Sequence, residues 1–384
     1  MAIDDRDLAN LRERTSAKWR SYAPDVVPAW VAEMDFTLAE PIARVLHDAV
    51  DRSDTGYRWA DEVPETLAAF AQEEWAWSID PSKVIVLADV MSSIAQALVH
   101  LTDAGAHVVI NPPVYPPFFS TVDKVCGRRV RNVPLVEVDG AYRLDLEGLA
   151  EAFADPQVQA YVLCSPHNPT GTVHSEFELL AVAELAMSHD VVVIADEIHA
   201  PMTMIGARHY PFLSVTGDVT DLRAVSCVSA SKTWNIPGLK CAQLVASDSV
   251  VDLLREAIPL ESTFGVGHFG VLGTLAAYRE GDLWRREMLE TLDRRRRQLV
   301  DGLSALGEVQ VTWPEASYLA WVHLPLLGED PAAVLLEEAK LAVNSGVPFG
   351  APGIGHARVN YATSEAILDD IVDRVGAVID AHSS

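Results

Sequence analysis

The chain has 384 residues, 49% of them hydrophobic, and a formal net charge of −26. A chain of this length and composition can bury a sizeable core and form two or three domains. Its acidity disfavours nucleic acid and anionic membranes as partners, because both carry negative charge.

The first forty or so residues are irregular and rich in proline and tryptophan, and we expect residues 1–40 to pack on the C-terminal domain. From there to about residue 275, short apolar runs alternate with helical patterns. The strand candidates are Val84–Leu87, His107–Ile110, Ala160–Cys164, Val191–Ala195, Ala224–Val228 and Gln243–Ala246. Continuous apolar strands separated by helices, such as one over Phe177–His189, predict a mostly parallel sheet with helices on both faces. We assign residues 41–275 to this large domain.

After about residue 275, long charged helices flank shorter strands. Helices are predicted over Leu283–Leu306, Pro331–Ser345 and Ser364–Ala381, and strands over Gln310–Trp313, Leu319–His323 and Ala357–Tyr361. Residues 276–384 are therefore predicted to form a smaller α+β domain. The basic run Arg294–Arg297 is expected to be a solvated helix face or a contact between subunits.

The cysteines and the apolar runs bear on location. None of the four cysteines forms a CxxC pair, and no Cys/His cluster has zinc-ligand spacing, so we expect no metal. Cys164 and Cys227 lie in apolar runs and are expected to be buried thiols, which fits a reducing compartment. The N-terminus lacks the apolar core of a signal peptide, and no stretch approaches membrane-spanning length. These features predict a cytoplasmic protein.

Polar motifs follow the strands of the large domain, where parallel sheets bind ligands. In Ala88–Ser93, the start of a helix could bind an anion through N–H groups and the Ser92 hydroxyl. A plain N-cap is the alternative. In Asn111–Pro117, Tyr115 stands between prolines and could stack on a flat ring or simply pack in the turn.

Two further strands end in candidate ligand-binding residues. The loop Cys164–Gly171 is made rigid by two prolines and a glycine. Its Asn168 could donate a hydrogen bond to a phenolic oxygen of a bound ligand. The strand that starts at Val191 ends in Asp196, whose carboxylate could bind a protonated ring nitrogen. A connecting turn and an ordinary strand-end cap are the respective alternatives.

The stretch Ser229–Asn235 is the most informative, because it places Lys232 among hydroxyl residues after an apolar strand. A partly desolvated lysine loses its proton more easily, and its amine can then form a Schiff base. Neighbouring hydroxyls suit a phosphate. Pyridoxal 5'-phosphate (PLP), an aldehyde that carries a phosphate, needs both; the alternative is a lysine in an ordinary Ser/Thr loop.

An arginine in a short C-terminal strand completes the set. Arg358 lies in His356–Tyr361 and could bind an amino acid's α-carboxylate through two parallel hydrogen bonds. A lone strand arginine is more often a surface residue.

Together these motifs resemble a fold type I PLP-dependent enzyme of the class I/II aminotransferase superfamily, from about Trp30 to Ala362. The chain is similar in particular to the cystathionine β-lyase/C–S lyase branch, the MalY/PatB group. The segments that carry this likeness are Trp30–Phe36, Pro166–Gly171, Asp196–His199, Ser231–Leu239 and Pro314–Trp321. The resemblance implies the α/β PLP-dependent transferase fold type I.

The resemblance also implies roles for the site residues. Lys232 would form the Schiff base with PLP, Asp196 would pair with its pyridine nitrogen, and Arg358 would hold the substrate carboxylate. Tyr115 would stack on the ring as a third catalytic residue, and Asn168 and His199 would lie near the phenolic oxygen. The phosphate would be bound by Met91, Ser92, Ser229, Ser231 and Lys240. Trp30 would contact the substrate, and Tyr57 would reach the neighbouring subunit's phosphate and substrate. A Tyr57 that acts across subunits implies a homodimer with active sites at its interface.

The implied reaction is β-elimination from cystathionine or a cysteine S-conjugate, in which Lys232 takes the α-proton and a thiol, pyruvate and ammonia are released. An aminotransferase is the first alternative, because transamination shares every step up to the proton transfer. The second is a PLP enzyme that acts on an S-conjugated specialised metabolite with another outcome, such as decarboxylation. A binding protein without catalysis is disfavoured by the intact Lys232, Asp196 and Arg358.

Three positions depart from the usual pattern of the superfamily. Lys240 stands where arginine is frequent, Ser165 where asparagine is frequent, and Trp234 where phenylalanine is common. Because Trp234 adjoins Lys232 in the sequence, we expect it to influence the shape of the substrate site.

Overall fold

The computed structural model describes residue 3, residues 6–216 and residues 221–383. Its strands are β1 Val27–Pro28, β2 Val84–Leu87, β3 His107–Ile110, β4 Arg129–Asn132, β5 Val136–Val138, β6 Ala141–Arg143, β7 Val158–Cys164, β8 Val192–Asp196, β9 Ala224–Val228, β10 Ala242–Ala246, β11 Gln310–Val311, β12 Leu319–His323, β13 Leu341–Ala342, β14 Asn344–Ser345 and β15 His356–Asn360. Its helices are α1 Leu8–Leu11, α2 Ala17–Arg20, α3 Glu40–Asp51, α4 Val63–Trp75, α5 Val90–Leu101, α6 Pro117–Ser120, α7 Leu146–Phe153, α8 Glu176–Ser188, α9 Phe212–Val215, α10 Val251–Ala257, α11 His268–Glu280, α12 Asp282–Ser304, α13 Pro331–Ala339 and α14 Glu365–His382.

Within the described residues, the central sheet has seven strands in the order β2-β10-β9-β8-β7-β3-β4. The strands from β9 to β4 run parallel, and β10 is antiparallel to both of its neighbours. Along β8, Val192 and Ile194 face one apolar cluster, whereas Val193 and Ala195 face another. This alternation shows that both faces of the sheet are covered, as the continuous apolar runs predicted.

The six strand predictions of the large domain are confirmed within two residues at each end. The sequence reading missed β4, β5 and β6, because β4 and β5 expose most of their side chains and none of the three short strands carries an apolar run.

The C-terminal part contains a four-stranded antiparallel sheet in the order β11-β12-β15-β14. The predicted helix Pro331–Ser345 is wrong in its second half. Helix α13 ends at Ala339, Lys340 takes a left-handed conformation (φ 52°), and β13 and β14 follow. Leu341 and Ala342 are buried and pair with β1, so strand pairing to the N-terminal segment overrides the helical pattern.

The N-terminal segment contacts this C-terminal part through more than β1. The Asp35 N–H donates to the Ala362 carbonyl, and the Asn360 N–H donates to the Ala29 carbonyl. Lys18 and Asp35 form a fully buried ion pair of 2.7 Å within the segment. These contacts agree with a segment that packs on the small domain. The division into residues 1–40, 41–275 and 276–384 stays a prediction.

The arginine run lies on α12 and is not a fully solvated face. Arg296 is buried; it forms an ion pair with Asp293, donates to the Pro314 carbonyl at 2.7 Å and stacks over the Trp313 ring at 4.5 Å. Arg295 is buried as well. The expectation was wrong for these two residues. A helix that packs on a small sheet can bury one side of a charged run when carbonyls accept its hydrogen bonds and aromatic rings stack on it. No helix in the described part of the chain combines the length and apolarity needed to cross a membrane.

Candidate active site

A cavity of about 500 Å³ lies beyond the carboxyl ends of β7, β8 and β9, between the central sheet and the C-terminal part. This volume suits a small cofactor with its substrate. The predicted site residues that line it are Trp30, Met91, Tyr115, Asn168, Asp196, His199, Ser231, Lys232, Lys240 and Arg358. The carboxyl ends of parallel strands meet at one edge of a sheet, so strand-end motifs far apart in sequence converge there.

Three predicted residues do not line this cavity. Ser229 donates its hydroxyl hydrogen to the Cys241 carbonyl and accepts the Ser231 N–H, so it stabilises the turn from behind. Ser92 directs both its N–H and its hydroxyl to the Asp89 carboxylate. Tyr57 is fully exposed on the outer surface. Roles for these residues stay predictions.

Lys232 follows β9 in a tight turn, which is closed by a hydrogen bond from the Ile236 N–H to the Ser231 carbonyl. Withdrawal from solvent, together with the positive charge of Arg358, lowers the pKa of Lys232 to about 8. Its Nζ donates to the Ala32 carbonyl at 3.0 Å. A lysine with this pKa exposes an appreciable fraction of free amine near neutral pH, which a nucleophile or a base requires.

Asp196, the last residue of β8, is buried. Burial raises the pKa of its carboxyl to about 7, while the Ile198 N–H, which donates to Oδ1 at 3.1 Å, counteracts the shift. No cation among the described residues forms an ion pair with it. A buried carboxyl of this kind is suited to a partner that carries a proton on a ring nitrogen.

Arg358, on β15, is a buried guanidinium without a carboxylate partner among the described residues. It donates to the Asn168 Oδ1 at 3.0 Å and to the Trp30 carbonyl at 3.2 Å, and its Nε has no partner. Burial lowers its pKa to about 10. A buried cation held by neutral oxygens and by the Phe349 ring, 5.2 Å from its Cζ, is suited to an anionic ligand, and a carboxylate fits its planar fork.

Asn168, Tyr115 and His199 surround the same space. Because Asn168 directs its Oδ1 to Arg358, its Nδ2 is the end left to donate. Burial raises the pKa of the Tyr115 hydroxyl and lowers that of His199 to about 3, so both stay neutral near pH 7. The Nδ1 of His199 is buried without a partner. We call Lys232, Asp196, Asn168 and Arg358 the lysine end of the cavity.

A second part of the cavity lining lies at the N-terminus of α5. Asp89 caps this helix: its Oδ1 accepts the Ser92 N–H and hydroxyl, each at 2.8 Å, and its Oδ2 accepts from the Lys240 Nζ at 3.0 Å. A helix N-terminus and a lysine together attract anions. We call the cavity-lining residues Asp89, Met91 and Lys240, together with Ser92, which bonds to Asp89 without lining the cavity, the helix end.

This donor set fits PLP. Lys232 would meet the aldehyde, Asp196 the ring nitrogen, and Asn168 the phenolic oxygen. At the helix end, the Ser92 N–H and hydroxyl and the Lys240 ammonium, which donate to Asp89 in this structure, would be the donors for the phosphate. Each buried polar group left without an ionic partner at the lysine end would find one in the cofactor or its amino-acid substrate.

Comparisons with known proteins place the chain in a family. The sequence model of the family "Aminotransferase class I and II" matches residues 26–375. The chain belongs to the class I and II aminotransferase family. The structure of cystalysin from Treponema denticola, which contains PLP, is similar with a TM-score of 0.89 and 26% identity over 95% of this chain and 96% of that one.

Within the family, relatives that are 31–40% identical to the chain are named as cystathionine beta-lyases. The chain is 33% identical to the cystathionine beta-lyase PatB of Bacillus subtilis over 92% of this chain and 93% of the relative. It is 40% identical, over 98% of each chain, to a Mycobacterium leprae protein provisionally named a cystathionine beta-lyase. The predicted fold, the PLP cofactor and the carbon–sulfur lyase class are thereby confirmed for this family member.

Sequence reasoning missed part of the site of this class I and II aminotransferase family member. The segment Trp30–Phe36, which we call the strap, brings the Ala32 carbonyl to Lys232. Asn235 holds the strap at Met34, accepting its N–H and donating to its carbonyl at 2.9 Å each. Asn344 and Ser345, also missed, fell inside the wrongly predicted helix and line the cavity. The strap motif was visible in the sequence, but backbone carbonyls carry no side-chain signal.

The expectation for Trp234 was wrong. Its side chain is fully buried away from the cavity, packs edge-on against Phe70 and Tyr278, and donates to the Gly281 carbonyl at 3.0 Å. The tight turn directs neighbouring side chains in different directions, so adjacency to Lys232 in sequence does not place the indole at the substrate. Ser165 is also buried and does not line the cavity.

Proposed function

We propose that this protein uses PLP to cleave L-cystathionine or another cysteine S-conjugate into a thiol, pyruvate and ammonia. The observation that carries the proposal is the convergence of Lys232, Asp196 and Arg358 on one cavity. A sulfur leaving group is supported by the relatives named cystathionine beta-lyases, which are 31% and 33% identical over nearly the whole chain.

Arg358 binds and orients the substrate. Its guanidinium accepts the α-carboxylate, while the Asn168 Oδ1 and the Trp30 carbonyl keep the planar fork in position. A fixed carboxylate restricts rotation of the amino acid, so the α-proton keeps one orientation toward Lys232.

Lys232 moves the proton. Bound PLP supplies an electron sink for the negative charge that develops at Cα. The Nζ of Lys232 takes the α-proton as a free amine, which its lowered pKa of about 8 favours, and the Ala32 carbonyl accepts a hydrogen bond from the protonated form. Asp196 keeps a proton on the ring nitrogen. The Cβ–S bond then breaks, and the electron pair leaves with the sulfur as a thiolate.

The assembly in the proposal is a homodimer with Tyr57 at the partner's cofactor phosphate. Support comes from a patch of large apolar side chains that are exposed in the single chain: Tyr57, Trp59, Leu260 and Phe264. Arg58 joins the two segments of the patch by donating to the Thr263 carbonyl. Apolar exposure of this kind marks an interaction surface. The molar mass from light scattering tests this part, and a monomer at working concentration contradicts it.

The proposed location is the cytoplasm. It is supported by the four cysteines, which are buried and unpaired.

The reaction is tested with purified protein, PLP and L-cystathionine or S-ethylcysteine, without any keto acid. We expect thiol and pyruvate in a ratio of one to one, with continuous turnover. Turnover that requires an added keto acid would instead indicate an aminotransferase, and carbon dioxide release would indicate decarboxylation. The variant Lys232→Ala should lose this turnover. Its matched control is Lys83→Ala, because Lys83 lies on the surface and pairs with the exposed Asp248.

A further inference from the structure

The helix end contains a carboxylate at the place where the cofactor phosphate is expected. Asp89 lines the cavity beside Met91 and Lys240. Its side chain already accepts three hydrogen bonds, from the Ser92 N–H, the Ser92 hydroxyl and the Lys240 ammonium. These are the strong donors that the sequence predicted for the phosphate.

Asp89 is an anion at this site. Partial burial opposes its charged form, but the bonds from Ser92 and Lys240 outweigh burial and hold the pKa of its carboxyl below the usual value. Two anions cannot share one set of donors at contact distance without strong repulsion. A phosphate that binds to Ser92 and Lys240 must therefore compete with the carboxylate of Asp89.

We propose that Asp89 is an internal competitor for the cofactor phosphate: its carboxylate occupies the donors of the helix end, and PLP binds by displacing it. Asp89 thereby lowers the affinity for PLP and speeds exchange of the cofactor. The inference rests on the placement of PLP in this cavity and not on the lyase reaction.

The competition is isolated by the substitution Asp89→Asn. Asparagine caps a helix as well as aspartate does, so α5 keeps its N-terminal hydrogen bond while the negative charge is lost. Asp145→Asn is the matched control. Asp145 caps α7 by accepting the Gly148 N–H at 2.9 Å, and it does not line the cavity.

The experiment titrates cofactor-free protein with PLP and, separately, with pyridoxal, which lacks the phosphate. Binding is followed by the near-visible absorbance of the bound cofactor. We expect Asp89→Asn to bind PLP about tenfold more tightly and to release it more slowly, because one repulsive charge is removed. Pyridoxal affinity should be unchanged, and Asp145→Asn should match the parent protein with both ligands.

Inorganic phosphate gives a second readout without any aldehyde. We expect phosphate to raise the thermal midpoint of cofactor-free Asp89→Asn more than that of the parent protein. Equal or weaker PLP binding by Asp89→Asn overturns the proposal, because Asp89 would then orient Lys240 for the phosphate. Equal tightening of PLP and pyridoxal overturns it too. A protein that binds PLP with this pattern but releases no thiol refutes the lyase reaction alone.

Discussion

The two ends of the cavity hold their charges by different means. At the lysine end, Asp196 and Arg358 are buried, their pKa values are displaced by burial, and backbone groups or neutral side chains hold them. At the helix end, Asp89 and Lys240 are half exposed and pair with each other. A buried charge with neutral partners is fixed in place and available to a charged ligand, whereas an exposed ion pair can exchange partners at little cost. We therefore propose that the lysine end carries out the chemistry and that the helix end retains the cofactor.

The largest effect is expected from Lys232→Ala. Removing the amine eliminates both the covalent bond to the cofactor and the base, so turnover should fall by a factor of at least about 1,000. The near-visible absorbance of bound cofactor should change to that of free PLP, while Lys83→Ala keeps the parent spectrum and rate. If Lys232→Ala kept full turnover and the parent spectrum, the lysine end would not be the catalytic part of the cavity.

Arg358→Lys tests whether the planar guanidinium at the lysine end binds the substrate carboxylate. Lysine keeps the positive charge but loses the planar fork, so kcat/KM should drop about 100-fold, mostly through a higher KM. The cofactor spectrum should be nearly unchanged. Arg374→Lys is the control, because Arg374 pairs with Asp370 on the surface helix α14. An unchanged KM would mean that the substrate carboxylate binds elsewhere.

The pH dependence of cofactor attachment tests the pKa of Lys232. Only the free amine attacks the aldehyde, so the rate constant for PLP attachment to cofactor-free protein should rise about tenfold per pH unit below pH 8 and then level off. Stopped-flow absorbance measures this profile. Asp196 raises the pKa of Lys232, so Asp196→Asn should move the midpoint to lower pH. A midpoint near the ordinary lysine value of 10.5 would contradict the desolvated lysine.

The smallest effect is expected from loosening the strap with Asn235→Gly. Glycine tolerates the left-handed backbone at this position (φ 55°), so the change removes only the side chain that holds Met34. The Ala32 carbonyl, which stabilises the ammonium form of Lys232, should become less well placed. We expect a loss of about fivefold in kcat/KM and a lower midpoint of the attachment profile.

Ser53→Gly provides the control for that change, because Ser53 has a similar backbone (φ 57°) but is exposed on the surface. If Asn235→Gly left the pH midpoint of PLP attachment unchanged, the strap would have a purely structural role.

Three of the four residues of the lysine end were predictable because they lie at or just after the ends of buried strands. Apolar runs located β7, β8 and β9, and the geometry of parallel sheets then brought Asn168, Asp196 and Lys232 to one edge. Their chemistry, a rigid amide, an acid and a lysine, was legible from residue types alone.

Other parts of the site depend on long-range packing, which one-dimensional patterns do not contain. Asn344 reaches the cavity because β13 pairs with β1, some 300 residues away in sequence, and this pairing ended a predicted helix early. The indole of Trp234 lies in the core because it packs against Phe70 and donates a hydrogen bond to the Gly281 carbonyl. The pairing of Asp89 with Lys240 joins residues 151 positions apart.

Locating the cofactor bond tests most directly whether the lysine end binds PLP covalently. The PLP-bound protein is reduced with borohydride, digested, and the labelled peptide is identified by mass spectrometry. We expect one cofactor per chain, attached to Lys232, in the parent protein and in Asp89→Asn alike. Label on Lys240 or on any other lysine would contradict this expectation, because the lysine end would then not be where the chemistry takes place.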